Sequence, residues 1–280
     1  MRGLDGLTWA AEESITSYGV RLRLRASQKE ALEALLERLT SRWKPSRAKT
    51  VSRTYSLVLA AGSTSLGRPH DNVLYADGAE LVRGRDLEKV LDQFESASRF
   101  HIAEMSPQCT FLHAGAVSWR SRAIILPGKS GTGKTTLTVA LVNAGASYLS
   151  DECALIDDRG RIHPFPKPLS IVRGRRRRPL LQPVEALGGV QERRPLPAGL
   201  VVLTSYGAHR WRPRHLTPGE GVLDLLRHTV SAQRRPANAL RRLERVSSLA
   251  PILKGARGEA DATAPLILER LEAAIESSEN

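Results

Sequence analysis

Gly128-Lys129-Ser130-Gly131-Thr132-Gly133-Lys134-Thr135 spells G-K-S-G-T-G-K-T, a complete G-x-x-x-x-G-K-[ST] phosphate loop. Its flanks constrain the fold as much as its letters do. Ala123-Ile124-Ile125-Leu126 before it is an apolar run fit for a buried strand, and Leu137, Ala140 and Leu141 after it recur at helical spacing. Strand, glycine turn and helix in that order let successive backbone N–H groups curl around phosphate oxygens, because glycine leaves no side chain in the way. The helix adds the positive end of its dipole. In this pattern Lys134 sets an ammonium on the β and γ phosphates, and the Thr135 hydroxyl can ligate Mg²⁺. Gly128 through Thr136 is therefore the expected ATP-binding segment.

A chain of 280 residues holds one large domain or two ordinary ones. With 41% apolar and 25% charged residues it can bury a core without a metal or disulfide staple. Cys109 and Cys153 form no framework of paired spacings and are expected as buried thiols in a reducing compartment. Asp5 interrupts the N-terminus before any apolar stretch forms, so no signal peptide is expected, and no run approaches a membrane span. The expectation is a soluble cytoplasmic protein with no membrane partner. The net charge of +13 is carried by arginine, densest at Arg173 and at Arg175 to Arg178. Such a field favours acidic partners or phosphates. No nucleic-acid motif or set of stacking aromatics accompanies it, so nucleic acid is not the expected partner.

Along the first hundred residues, Val20 to Arg25 alternates apolar and charged residues, as a half-exposed strand does. Ser27 with Glu30 predicts a capping box, a helix burying Leu32, Leu35, Leu36 and Leu39, and a stop at Lys44-Pro45. Val51 to Ala60 predicts a strand, Gly62 to Pro69 a loop, and Asp77-Gly78 a hairpin turn between Val73-Leu74-Tyr75 and Glu80-Leu81-Val82. Asp86 to Met105 predicts a long helix. A boundary near Met105 to Gln108 then separates a smaller α+β domain, 1–105, from a second domain, 106–280.

The second domain opens on a strand from Thr110 to Val117, which a turn at Trp119 to Arg122 joins to the strand before the loop. That antiparallel hairpin makes the expected sheet mixed, in an α/β fold with α+β character. Strand segments follow at Tyr148 to Glu152, Ala154 to Asp157, Leu169 to Val172, Leu200 to Thr204 and Ala250 to Leu253. Helices are expected over 217–230, 236–247 and 262–276, and the Pro- and Arg-rich stretch from Arg175 to Pro197 as a mobile loop.

An ordinary nucleotide-binding chain of this type keeps its metal-holding acid on a separate strand. Here Asp151-Glu152 follows only one helix after Lys134, while the strand ending at Thr204-Ser205 has no acid. If the chain turns at Gly145 and runs back toward the loop, Asp151 faces the terminal phosphate. One carboxylate then accepts a proton from an attacking hydroxyl and the other helps the metal. Taken alone, the pair reads equally well as a solvated strand end.

His113 in H-A-G, the loop, and L-S-D-E at Leu149 to Glu152, in this order and at this spacing, resemble the HPr kinase/phosphorylase family and its wider set of HPr-kinase-like proteins. That family shares its nucleotide-binding core with phosphoenolpyruvate carboxykinases. The resemblance covers about residues 113–174 and is absent before about residue 105. It implies a serine kinase fold unrelated to eukaryotic protein kinases, using ATP and Mg²⁺. It also implies Lys134 on phosphate, Thr135 on the metal, Asp151 as proton acceptor and His113 near the transferred group. The family's R-G motif matches Arg173-Gly174, but Ser170-Ile171-Val172 before it carries no acid. That leaves Glu152 to compensate as metal ligand, or one metal to suffice.

No HPr-recognition element is visible, so HPr is not the expected substrate. Related proteins act as tailoring kinases on peptide natural-product precursors, including lasso peptides. The expected acceptor is a serine hydroxyl of a protein or peptide, acidic if the arginine cluster engages it. The resemblance also implies assembly of several copies. Two other functions fit the same motifs: a nucleotide-dependent switch or scaffold ATPase, and a small-molecule kinase. Arg234 and Arg235 are candidates for a transition-state arginine.

Overall fold

The computed structural model describes residues 7–39, 42–60, 71–171, 180–230 and 232–279. It divides into two compact units, Met1–Pro107 and Gln108–Asn280. The predicted loop at Gly62 to Pro69, the Arg173-Gly174 pair and the Arg175 to Arg178 cluster lie outside the described residues.

In the first unit β1 (Ala11–Ser17), β2 (Val20–Ala26), β3 (Trp43–Pro45), β4 (Arg53–Val58), β5 (Asn72–Ala76) and β6 (Ala79–Gly84) form one sheet in the order β3-β1-β2-β4-β5-β6. Only the β2–β4 pair is parallel. Helices α1 (Lys29–Glu37) and α2 (Leu87–Met105) complete the unit. Alternation along β2 buries Val20, Leu22 and Leu24, and Tyr55 meets Phe94 of α2 edge to face at 5.2 Å. Asp77 (φ 49°) and Gly78 (φ 85°) make the β5–β6 turn, the left-handed pair a tight hairpin needs.

Two expectations fail here. Gln28, not Ser27, precedes α1 and no side chain caps it. The Ser27 hydroxyl is taken instead by the Leu59 N–H at 3.1 Å, a tertiary bond that outcompetes the local cap. The helix then ends at Glu37, and Trp43–Pro45, expected as its stop, pairs with β1 as an edge strand, where proline costs no ladder bond.

The second unit carries β7 (Thr110–Trp119), β8 (Arg122–Pro127), α3 (Lys134–Asn143), β9 (Ser147–Ser150), β10 (Cys153–Ile156), β11 (Arg161–His163), β12 (Leu169–Ile171), β13 (Leu180–Gln182), β14 (Leu196–Leu203), β15 (Arg214–His215), α4 (Pro218–Leu226), α5 (Pro236–Leu249), β16 (Ile252–Lys254) and α6 (Ala260–Glu279). The main sheet runs β11-β10-β7-β8-β14-β16-β15, with β9 also on β7 and β11 also on β14. β8, β14 and β16 are mutually parallel and β7 is antiparallel to β8, so the sheet is mixed in an α/β unit. Buried residues of α3 and α6 pack with Val117, Ile124, Leu126, Leu200 and Val202 in one core. Those of α4 and α5 pack with Leu112, Ile125, Ile156 and Val201 in the other.

The stretch expected as a mobile loop is ordered over its described part. β13 pairs with β12, Val184 is buried, and Tyr148 N–H and Glu192 N–H lock residues 190–192 onto β9 at 2.7 and 2.8 Å.

β9 and β10 both run along β7: Ala116 faces Ser150 and His113 faces Cys153, and β9 shifts register between Ala116 and Val117. Between them the ladder breaks at Asp151-Glu152, opposite Ala114-Gly115. Gly115 matters because a Cβ there would stand 2.6 Å from Thr138 Oγ1 on α3. The bare backbone lets α3 settle onto β7 just where the acidic pair leaves the sheet. Gly115→Ala is expected to destabilise the protein by about 1–3 kcal/mol through overpacking. Thermal melting checks this, and a Thr138→Ala background should recover most of the loss. Equal midpoints for wild type and Gly115→Ala would contradict this packing.

Candidate functional site

The loop between β8 and α3 is built by its glycines. Gly131 (φ 83°) and Gly133 (φ 84°) occupy the left-handed region, and Gly133 heads α3 with no side chain capping the helix. The first N–H groups of α3 are thus left pointing into the cleft, the arrangement that holds an anion. Lys134 folds back over the loop, its Nζ donating to the carbonyls of Gly128 and Lys129 at 2.8 Å each. Burial pushes its pKa down, against Asp151 and Cys153, which raise it.

Asp151 meets the loop directly. The Thr135 hydroxyl donates to its Oδ2 at 2.8 Å. Its Oδ1 is buried beside the Thr138 hydroxyl. Burial dominates and pushes the carboxyl up to about 6, while Thr135, Lys134 and Thr138 pull it down. His113 lies on β7 beside this group. Its N–H donates to the His228 carbonyl at 2.7 Å, and its own carbonyl accepts from Gly128 N–H at 3.3 Å. Burial first and Lys134 second hold its imidazole below the ordinary value, so it is neutral at pH 7.

These groups line a cleft of about 840 Å³. Ser130, Gly131, Gly133, Lys134, Thr135 and Thr136 border it with His113, Asp151 and Glu152. Gly128, Lys129 and Thr132 border a separate cleft on the loop's other flank. Glu152 Oε2 lies 3.7 Å from Lys167 Nζ. Arg234 and Arg235 do not line the cleft. Val139 and Asn143 extend it along α3 away from the loop, with Ile171 and Asp261 opposite.

Three residues escaped the sequence. Lys167 and Asp261 carry no motif, and only the fold brings them to the cleft. Arg257 is 3% exposed and donates Nη2 to the Gly133 carbonyl at 3.0 Å and Nη1 to the Gly258 carbonyl at 2.8 Å. A Cβ on Gly133 would stand 2.6 Å from that Nη2. No carboxylate pairs with Arg257 among the described residues. A cation buried at a helix N-terminus opposes the dipole, unless an anion joins them. The only sequence signal was an arginine flanked by Gly255 and Gly258 at the end of a short strand.

The second unit is thus an α/β unit in which a glycine loop, the open end of a helix and a buried carboxyl face one cleft. No protein-family model matches the chain, and no curated protein matches it. Among solved structures it is similar to the Hpr(Ser) kinase/phosphatase from Coxiella burnetii, with 14% identity and a TM-score of 0.34 over 59% of this chain and 98% of that one. A likeness at this level assigns no residue. Among the described residues, no helix is long and apolar enough to cross a membrane and no group of three or more His, Cys, Asp or Glu side chains is placed to hold a metal.

The raised pKa of Asp151 has a stability consequence of definite sign. Its value of about 6 in the fold lies above the ordinary 3.8. Below about pH 4 both folded and unfolded chains hold the proton and nothing is lost. Through the window up to about pH 6 the unfolded chain ionises first, and the fold loses stability as pH rises. The full cost above that window is about 1–3 kcal/mol. Asp151→Asn removes the charge, so it should raise the thermal midpoint of the nucleotide-free protein at pH 8 more than at pH 4. A midpoint that drops at pH 8 would contradict the burial of a charged group here.

Proposed function

We propose that the protein is a phosphotransferase that moves the γ-phosphoryl group of ATP to a hydroxyl, most simply a serine of a protein or peptide. The observation that carries this reading is the 2.8 Å bond from Thr135 to Asp151, which couples the loop to a buried carboxyl.

The residues present fit ATP and Mg²⁺. The cleft of about 840 Å³ suits a nucleotide, its loop end is rich in donors, and its far end pairs apolar Val139 and Ile171 with polar Asn143. The Thr135 hydroxyl would hold the metal, within a shell of phosphate and water oxygens as Mg²⁺ prefers. ATP supplies the phosphoryl group, and Mg²⁺ offsets charge on the β and γ oxygens.

The chain's own residues do the rest. The open N–H groups of α3, Lys134 and the field of Arg257 favour the negative charge on the transferred group. Lys134 would exchange its two loop carbonyls for phosphate oxygens, which are stronger partners for an ammonium. The Asp151 carboxylate takes the proton as the acceptor oxygen bonds to the γ-phosphorus and the bond to the β–γ bridging oxygen breaks, releasing ADP. Neutral His113, beside Lys134, borders the space the acceptor hydroxyl would occupy. The first unit, Met1–Pro107, we assign to docking the acceptor or a partner, and the second unit to the kinase chemistry.

The test is transfer of label from γ-labelled ATP to an arrayed library of serine-containing peptides. Asp151→Asn is expected to lose about 10²–10⁴-fold in transfer rate while nucleotide affinity stays within a few-fold. Lys134→Ala should lose both. Free phosphate released at the same rate by wild type and Asp151→Asn, with no labelled peptide, would assign an ATPase instead.

A further inference from the structure

The phosphate-binding reading uses one flank of the glycine loop. The other flank borders a second cleft of about 430 Å³. Its floor is the carboxyl ends of the three parallel strands, β8, β14 and β16, marked by Gly128, Thr204 and Gly255. Crevices at that end of an α/β sheet are where ligands sit. In this chain the crevice is cationic. Lys129, Arg227 and Lys254 reach it, against one carboxylate, Asp224.

Asp224 is 9% exposed and accepts from Arg227 Nη1 and from Lys254 Nζ at 2.6 Å each. A single buried carboxylate therefore fixes two cations at the rim and leaves net positive charge. Lys129 makes no ion pair among the described residues. His228, on the same wall, registers the field: burial and then Lys134 push it down, with Lys129 and Arg227 acting the same way and Asp224 opposing. No aromatic ring besides His228 lines the cleft, so nothing there stacks on a base as single-stranded nucleic acid requires.

The two clefts are neighbours. His113 of the first bonds His228 of the second through the backbone, and the same His113 bonds Gly128. An extended peptide advances about 3.3–3.6 Å per residue. A chain whose hydroxyl reaches Asp151 can thus lay a nearby side chain in the second cleft.

We propose that this second cleft binds a carboxylate of the acceptor, so that the substrate is a peptide segment with an aspartate or glutamate within a few residues of the accepting serine. The proposal rests on the phosphotransferase reading above and adds the class of acceptor. Arg227 and Lys254 form the charge clamp, held by Asp224. The hydroxyls of Thr204 and Ser205 stand where an ordinary nucleotide-binding chain carries an acid, so the crevice does not repel an anion.

The experiment uses the full chain and two fluorescein-labelled decapeptides, one with aspartates around a single serine and one with asparagines in their place. Binding is followed by anisotropy, independently of catalysis. The acidic peptide is expected to bind at least about tenfold more tightly, with affinity falling as salt rises. Arg227→Ala, and separately Lys254→Gln, should remove most of that preference while nucleotide affinity holds and the fold, checked by circular dichroism, is retained. Arg270→Ala removes the same charge from an exposed site on α6 and should leave the preference intact. Equal binding of the two peptides, or equal weakening by Arg227→Ala and Arg270→Ala, would overturn the assignment. A clamp-dependent preference without label transfer to the serine would keep the cleft assignment and sink the phosphotransferase reading.

Discussion

The bond from the Thr135 hydroxyl to Asp151 is the contact on which the rest of the site depends. It joins the first turn of α3 to the break between β9 and β10, two pieces of chain that share no ladder. Three features make it possible. β9 and β10 both pair with β7, so the break between them falls beside the loop. Gly115 has no side chain, so α3 lies close on β7. The turn at Gly145 (φ 102°) reverses the chain directly after α3. With those in place a carboxyl is buried against a hydroxyl.

That burial is costly, and the cost has company. Lys134 is desolvated, so is Arg257 at the head of α3, with Glu259 only partly offsetting it, and burial with nearby cations holds the His113 and His228 imidazoles below the ordinary value. Native folds keep such groups together where a ligand or a reaction uses them. Here the positive set surrounds the loop and the single raised acid stands at its edge, an arrangement that favours a polyanion and then a proton acceptor within reach of it. Charge on the far flank, fixed by Asp224, extends the same field to a second cleft.

Much of this was legible in the sequence, for physical reasons. The loop announces itself because its glycines are required by backbone conformation, as Gly131 and Gly133 confirm. The hairpin before it was legible from apolar runs around a turn, where Arg120 and Ser121 take positive φ. The mixed α/β architecture followed from that hairpin. Tertiary competition was not legible. Ser27 looks like a cap and is claimed by Leu59, while a proline- and arginine-rich stretch that looks mobile is stitched to β9 through residues 190–192. Nor could sequence pair Arg257 with Gly133, 124 positions apart, because no periodicity or motif links them. Lys167 stayed hidden among prolines for the same reason.

The most direct measurement is the titration of the Asp151 carboxyl carbon by ¹³C NMR in the nucleotide-free protein, with assignment by Asp151→Asn. A carboxyl buried against the loop should titrate near 6. Replacing Thr135 by valine removes the donor to the ionised form and should move the midpoint higher still. A carboxyl that titrates near the ordinary 3.8 and ignores Thr135→Val would place Asp151 in solvent, away from the loop, and contradict the account.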